Sequence, residues 1–232
     1  TSFSVRGPSY LYDKLKIQSQ RSVFRLMTTD LIYCPDSPIL SGICTHPKER
    51  IQRALARERQ TGLQELPAFV FAVNLVVPAK QGCHHSVFYF GCDDISLLQD
   101  PNTSFGRLAS QFFFGPSDEF RNETFKLIPR IVDGSYLVKN AVGSKPAILG
   151  KKIQQYFVQS NRFFEVIVDI RKDAMARKIV SLSIGYAKTM VVDMGFVLEG
   201  REDDELPEVL LGAIQMKNIE FKERDGKRLI EE

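Results

Sequence analysis

The chain has 232 residues, 44% of them hydrophobic and 25% charged, with a formal net charge of +3. That is ordinary globular composition, at a length that buries a sizeable core without covalent staples. It excludes a small disulfide scaffold, and no run of about 18 apolar residues is present to cross a membrane as a helix.

The chain opens at Thr1 on a polar stretch rather than a signal peptide, and without an initiator Met it is expected to be excised from a longer product. Trp is absent, but 17 Phe and 7 Tyr supply aromatic bulk. The four cysteines, at 34, 44, 83 and 92, are spread out and read as reduced thiols of a cytoplasmic protein.

Val23 to Tyr33 is rich in β-formers and predicts a strand, broken by Cys34-Pro35-Asp36-Ser37-Pro38. Residues 48–60 predict a helix with Ile51 and Leu55 on one side. Thr45 or His46 would cap it, Pro47 would take the first helical position, and Gly62 would stop it. Phe69 to Val77 is a nearly continuous apolar run, a strand buried on both faces, in which the Asn74 amide needs partners. Pro78 ends it, and Ser86 to Gly91 returns as a hairpin partner.

Thr103 to Phe114 predicts a helix with Phe105, Leu108, Ala109, Phe112 and Phe113 near one face. Phe125 to Val132 is a strand in which Pro129 marks an edge or a bulge. Asp133-Gly134 then signals a hairpin turn, with Ser135 to Ala141 running back. Ala147 to Val158 and Phe163 to Ile170 form a further strand pair.

Asp173 to Leu198 is the longest helical candidate. Ala176, Val180, Ser183, Ala187, Met190, Val191, Met194 and Leu198 form a small and apolar stripe at helical spacing, so this helix is expected to be largely buried. An acidic loop, Glu202 to Pro207, leads to a last strand from Val209 to Phe221, and the tail from Lys222 is expected to fray. No linker or repeat interrupts this order. Residues 1–232 are therefore expected to form a single α+β domain, a largely antiparallel sheet packed on a long helix of the C-terminal half, in a helix-grip-like arrangement.

No constellation specifies a reaction, so no catalytic residue is assigned. Cys83, His84, His85 and Cys92 form one cluster where a zinc site wants two pairs, so neither metal nor cofactor is expected. His46 or His85 as base, with Cys34, Cys83 or Cys92 as nucleophile, carries no local mark of an activated thiol, and His84-His85 reads as a surface turn. Glu165 and Asp169, four apart on a strand, share a face. With Asp193 they are the carboxylates a hydrolase would use.

Residues 121–162 hold eight basic residues against two acidic ones, inside an otherwise neutral-to-acidic chain. Arg121, Lys126, Arg130, Lys139, Lys151 and Lys152 of this block would meet an anionic surface. The plainer alternative is a solvated sheet face paired with acids elsewhere in the fold. The aromatics of the block, Tyr136 among them, look structural, and no single-strand motif is present, so nucleic acid is not expected.

Six strings in order carry further information. Val5-Arg6-Gly7 with Tyr10 opens the chain, and Phe71-Ala72-Val73-Asn74-Leu75-Val76-Val77-Pro78 follows. Then come Phe120-Arg121-Asn122, Phe125-Lys126-Leu127-Ile128-Pro129-Arg130-Ile131, Val138-Lys139-Asn140-Ala141-Val142-Gly143 and Glu205-Leu206-Pro207-Glu208-Val209-Leu210-Leu211-Gly212. Together they resemble the C-terminal domain of the plant enhanced disease resistance 2 family over nearly the whole chain. In plants that domain follows a pleckstrin homology domain and a START-type lipid-transfer domain, and the resemblance implies links to membranes, phosphoinositides and defence signalling. It implies no catalytic residues. Within the shared strings, Asn74 and Arg121 are polar groups flanked by buried strands and are expected to hold loops by hydrogen bonds.

The expectation that follows is a non-enzymatic regulatory domain that binds lipid or a membrane surface, cytoplasmic and peripheral on endomembranes or the plasma membrane. An apolar concavity between the sheet and the helix of residues 173–198 would take acyl or sterol bulk, and the basic block would meet anionic headgroups. The alternatives are a protein-interaction module using the acidic Glu202–Glu208 loop to contact other protein domains, and a carboxylate-dependent hydrolase.

Overall fold

The computed structural model describes residues 2–143 and 145–219. In chain order its elements begin with β1 (Ser4–Arg6), α1 (Tyr10–Asp13), β2 (Lys16–Gln18), β3 (Arg25–Cys34), α2 (Arg50–Thr61), β4 (Phe69–Pro78) and β5 (Cys83–Cys92). They continue with α3 (Ser104–Phe114), α4 (Asp118–Thr124), β6 (Phe125–Asp133), α5 (Tyr136–Val142) and β7 (Ala147–Ile148). The last are β8 (Gln155–Gln159), β9 (Phe163–Asp169), α6 (Ala174–Tyr186), β10 (Val191–Leu198) and β11 (Leu210–Lys217). The class is α+β with largely antiparallel sheets. The chain weaves twice between two compact units. The first holds the described residues up to Arg25, Asp94–Lys152 and those from Lys178 on; the second holds Leu26–Asp93 and Ile153–Arg177.

In the first unit β1 and β2 form a hairpin, and a four-stranded antiparallel sheet runs in the order β11-β10-β6-β7. Phe3, Val5, Ile128, Val197 and Leu210 pack one core cluster. The rings of Phe112, Phe125 and Phe196 stack in series with centroids 5.7 and 5.8 Å apart. All five residues expected on the inner face of α3 are buried, and the Thr103 hydroxyl caps it by accepting from the Gly106 N–H. Pro129 sits in β6 beyond the reach of β7, which pairs only at Lys126 and Leu127, so its missing N–H costs no ladder bond on that side.

In the second unit five strands run in the order β3-β5-β4-β9-β8. β4 pairs antiparallel with β5 but parallel with β9, and β8 is antiparallel to β9. With neighbours on both sides, all seven residues of β9 and eight of ten in β4 are buried. Ile32, Ile43, Ile51, Ala72, Val76, Val87, Phe163 and Ile167 are among the residues of its core. Gly62 stops α2 in the left-handed conformation at φ 72°, but the cap is Glu49, one residue before Arg50, rather than Thr45 or His46. Thr45 instead closes a short 3-10 turn by donating to the Gly42 carbonyl (2.8 Å).

Three expectations are corrected by the fold. The helix over 173–198 ends at Tyr186 after 13 residues, none of them buried. Residues 191–198 form β10, paired along its length by β6 and β11. The run Val-Val-Asp-Met-Gly-Phe-Val-Leu is apolar enough to satisfy either period, and pairing on both sides decides for the strand. Gly195 sits where a Cβ would stand 3.1 Å from Leu210 and the Phe3 ring. Ser135 to Ala141, expected as a returning strand, is the helix α5, which Ser135 caps by accepting from the Val138 N–H. The strand expected over 147–158 is split into β7, a 3-10 turn and β8. The last strand is described to Lys217; the end expected at Phe221 and the tail from Lys222 lie outside the described residues.

Candidate functional site

The second unit closes a group of polar side chains inside its core. Asn74 is paired with Val87 of β5 and Ile167 of β9, which places it on the same face as His85 and Glu165. The Ile39 N–H donates to His85 Nε2 (3.1 Å), so Nδ1 carries the proton and donates to Asn74 Oδ1 (2.9 Å). Asn74 Nδ2 donates to Glu165 Oε1 (2.8 Å), and Glu165 also accepts from the Ile43 N–H (3.1 Å) and the Cys44 N–H (2.9 Å). Asn74, His85 and Glu165 have no exposed surface. The chain of bonds clamps the loop of residues 39–45 onto the sheet, as the place of Asn74 between buried strands predicts.

Beside this chain Glu49 accepts from the Ile51 N–H and the Tyr89 hydroxyl, both at 2.7 Å. Burial pushes its carboxyl up from the ordinary 4.5 to about 7. Glu165 and Asp169 do share an inward face, but Asp169 is held by both arms of the Arg171 guanidinium, at 2.8 and 2.9 Å. His84 and His85, expected on a surface turn, are buried within β5. Cys83, His85 and Asn74 carry the residue types of a nucleophile, a base and an orienting amide. Here Nε2 already accepts from a backbone amide, and a hydrogen bond to Cys34 together with burial holds the Cys83 thiol well above its ordinary pKa.

The basic residues singled out in the sequence all lie in the first unit, and the structure divides them. Arg121 is 4% exposed; it donates to the Phe112 carbonyl (2.9 Å) and the Gly115 carbonyl and pairs with Asp118 (2.6 Å), closing the end of α3. It holds a loop, as its sequence context predicts. Lys126 is equally buried, against Glu208 and Glu199, with Arg6 on the same two carboxylates. Arg130 is ion-paired to Asp193, which also accepts from Gln215, and lies over the Phe3 ring at 5.5 Å. Arg121 and Lys126 therefore do not face a partner surface, a correction to the basic block as read from sequence. Arg121 is closed locally, by Asp118 three residues before it and by two backbone carbonyls, whereas Lys126 is closed by Glu208, 82 residues away in the chain.

Lys139, Lys151 and Lys152 are exposed. They do not form one patch: Lys151 and Lys152 follow β7, which pairs near the start of β6, whereas α5 follows its end at Asp133. At the rise of an extended strand that separation is about 20 Å.

At the α5 end the surface has a different character. Tyr136 is 76% exposed and Leu137 60%, side by side on the first turn, while Val138 is fully buried and anchors the helix. Val132 at the end of β6 is 47% exposed. The register Asp133 to Val191 to Lys217 brings exposed Lys217 to the same end of the sheet as Lys139, 78 positions earlier in the chain. Tyr136, expected to be structural, points outward. The missed signal was Ser135, an N-cap residue directly before Tyr-Leu-Val-Lys, which the hairpin reading of Asp133-Gly134 overrode.

The acidic loop is engaged within the first unit. Asp203 accepts from the Tyr12 hydroxyl (2.6 Å), Asp204 faces Arg107 (3.3 Å), Glu205 accepts the Arg201 and Glu202 N–H groups, and Glu208 is tied to Lys126. In the second unit an open groove is lined by Glu58, Gly62, Leu63, Gln64, Ala68 and Arg162, with the Arg162–Glu58 ion pair (2.8 Å) in its wall. The concavity expected against a helix of residues 173–198 loses that wall, because residues 191–198 are part of the sheet. No described helix is long and apolar enough to cross a membrane.

The sequence matches the family described as Protein enhanced disease resistance 2, C-terminal, over residues 1–220. A protein of Arabidopsis thaliana named Protein enhanced disease resistance 2-like is 32% identical over 221 residues, covering 95% of this chain and 28% of that protein. The chain thus spans little more than a quarter of the length of that curated relative. No solved structure matches the chain significantly.

Proposed function

The chain belongs to the enhanced disease resistance 2 C-terminal family, and on that premise we propose that it is a non-enzymatic regulatory domain that docks on an anionic membrane surface. The observation that carries this reading is the pair Tyr136 and Leu137, exposed together on a short helix beside Lys139. An aromatic with a polar tip and an aliphatic neighbour suit the headgroup boundary, where one end of the ring is dry and the other wet. Lys139 and Lys217 add about 1 kcal/mol each over an anionic leaflet. The helix that would have walled an acyl-binding concavity ends at Tyr186, so the docking is to the surface of the membrane alone. Glu165, Asp169 and Asp193 have their oxygens engaged by amides and guanidinium groups, which disfavours a hydrolase. The internal bonds of the Glu202–Glu208 loop disfavour it as a contact for a protein partner.

Vesicle sedimentation tests the reading. The chain binds phosphatidylserine-containing vesicles more tightly than neutral phosphatidylcholine vesicles, and binding weakens as salt rises. The double substitution Tyr136→Ala with Leu137→Ala weakens binding about 30-fold, from about 2 kcal/mol of apolar contact, with little change in stability. Equal binding to both vesicle types, or an unchanged double variant, overturns the proposal in favour of a protein-interaction module.

A further inference from the structure

Two of the four cysteines are brought together in the second unit by strands that are far apart in sequence. Cys34 is the last residue of β3 and Cys83 the first of β5, and these strands are neighbours in the sheet. Their thiols are hydrogen-bonded to each other. The approach is enforced by the backbone around them. Gly82, at φ 69°, sits where a Cβ would stand 2.1 Å from the Cys34 carbonyl oxygen and 2.6 Å from that of Pro35. The Tyr33 hydroxyl donates to the Gln81 carbonyl (3.1 Å), tying the end of β3 to the turn before Cys83. Residues directly opposite each other on neighbouring antiparallel strands have Cα separations of about 4.5–5.5 Å, inside the range a disulfide spans.

We propose that Cys34 and Cys83 are a built dithiol pair that closes to a reversible disulfide when the protein meets a peroxide. The polarity of the pair assigns the roles. The hydrogen bond between the two thiols favours the thiolate at Cys34 over the thiolate at Cys83. Cys34 is therefore the sulfur that attacks and Cys83 the one that resolves. Both are buried, but exposed positions lie close to each in the chain, Asp36 and Ser37 after Cys34 and Lys80 and Gln81 before Cys83. Local opening of either stretch admits a molecule as small as hydrogen peroxide.

In the first step the Cys34 thiol gives up its proton as its sulfur attacks one peroxide oxygen; the O–O bond breaks, an S–O bond forms, and the departing hydroxide takes that proton and leaves as water. In the second step Cys83 sulfur attacks Cys34 sulfur; the S–S bond forms, the S–O bond breaks, and the leaving hydroxide takes the Cys83 proton. Two thiols and one peroxide become one disulfide and two waters. A small thiol reverses the step by exchange. The closed bridge would fix the end of β3 at the entrance of the segment whose Ile39, Ile43 and Cys44 amides hang on His85 and Glu165.

The test uses the whole wild-type chain, so it does not depend on a variant folding. The native protein is treated with hydrogen peroxide, denatured, alkylated and mapped by mass spectrometry after proteolysis. The expected result is that two of the four cysteines escape alkylation, that one peptide pair links Cys34 to Cys83, and that dithiothreitol restores all four. Four alkylated cysteines, a link involving Cys44 or Cys92, or oxidation of Cys34 beyond recovery by dithiothreitol overturns it.

Discussion

The core of the second unit and the α5 end of the first place polar groups in opposite circumstances. Glu165 and Asn74 have no exposed surface, and they are bonded to the Ile43 and Cys44 amides and to each other. Lys139 is exposed on the same helix as exposed Tyr136 and Leu137, and Lys217 is exposed at the same end of the sheet. The first arrangement costs desolvation that internal bonds must offset, so its value is architectural. The second leaves charge and apolar surface available to something outside. A charge therefore matters to a partner only when no internal counter-charge has closed on it. That is why Arg121 and Lys126 drop out of the docking surface although they stand in the most basic stretch of the chain.

Removing the acceptor at the centre of the buried chain gives the largest expected effect. Glu165→Ala leaves the Ile43 and Cys44 amides and the Asn74 side chain without an acceptor, and it lowers unfolding stability by about 4 kcal/mol in urea titration. A loss below about 1 kcal/mol would show that water takes over those bonds and that the core is wetter than the contrast requires.

A pH series on Glu49 sharpens the same contrast. Its folded pKa of about 7 lies above the ordinary 4.5, so the folded chain holds that proton more tightly than the unfolded chain. Stability from this group is full below pH 4.5 and is lost as pH rises to about 7, by roughly 3 kcal/mol. Thermal unfolding of the native chain and Glu49→Gln across that window reads the effect as a difference in slope, the variant lacking this component. Parallel slopes would place Glu49 in contact with solvent.

The smallest effect separates the two ends of β6. Lys139→Gln weakens vesicle binding about 5-fold, near 1 kcal/mol, whereas Lys151→Gln, about 20 Å away along the strand, changes it little. Equal losses would show that the whole basic block, not the α5 end, meets the membrane.

The sequence by itself determined what local pattern can encode. The apolar run of β4, the inner face of α3, the stop at Gly62 and the shared face of Glu165 and Asp169 were all legible, because burial, capping and period act over a few residues. The α+β class followed from the order of such segments. It did not determine whether residues 191–198 continue a helix, since an unbroken apolar run fits either period and only the flanking β6 and β11 decide. Ser135 to Ala141 was misread because a turn signal and an N-cap signal overlap there. Nor could composition tell which basic residues stay exposed or which thiols meet. Glu208 closes on Lys126 across 82 residues, and Cys34 is brought to Cys83 by the pairing of β3 with β5. Such pairings depend on which strands lie side by side, and that is settled by packing of the whole fold rather than by any stretch of chain within it.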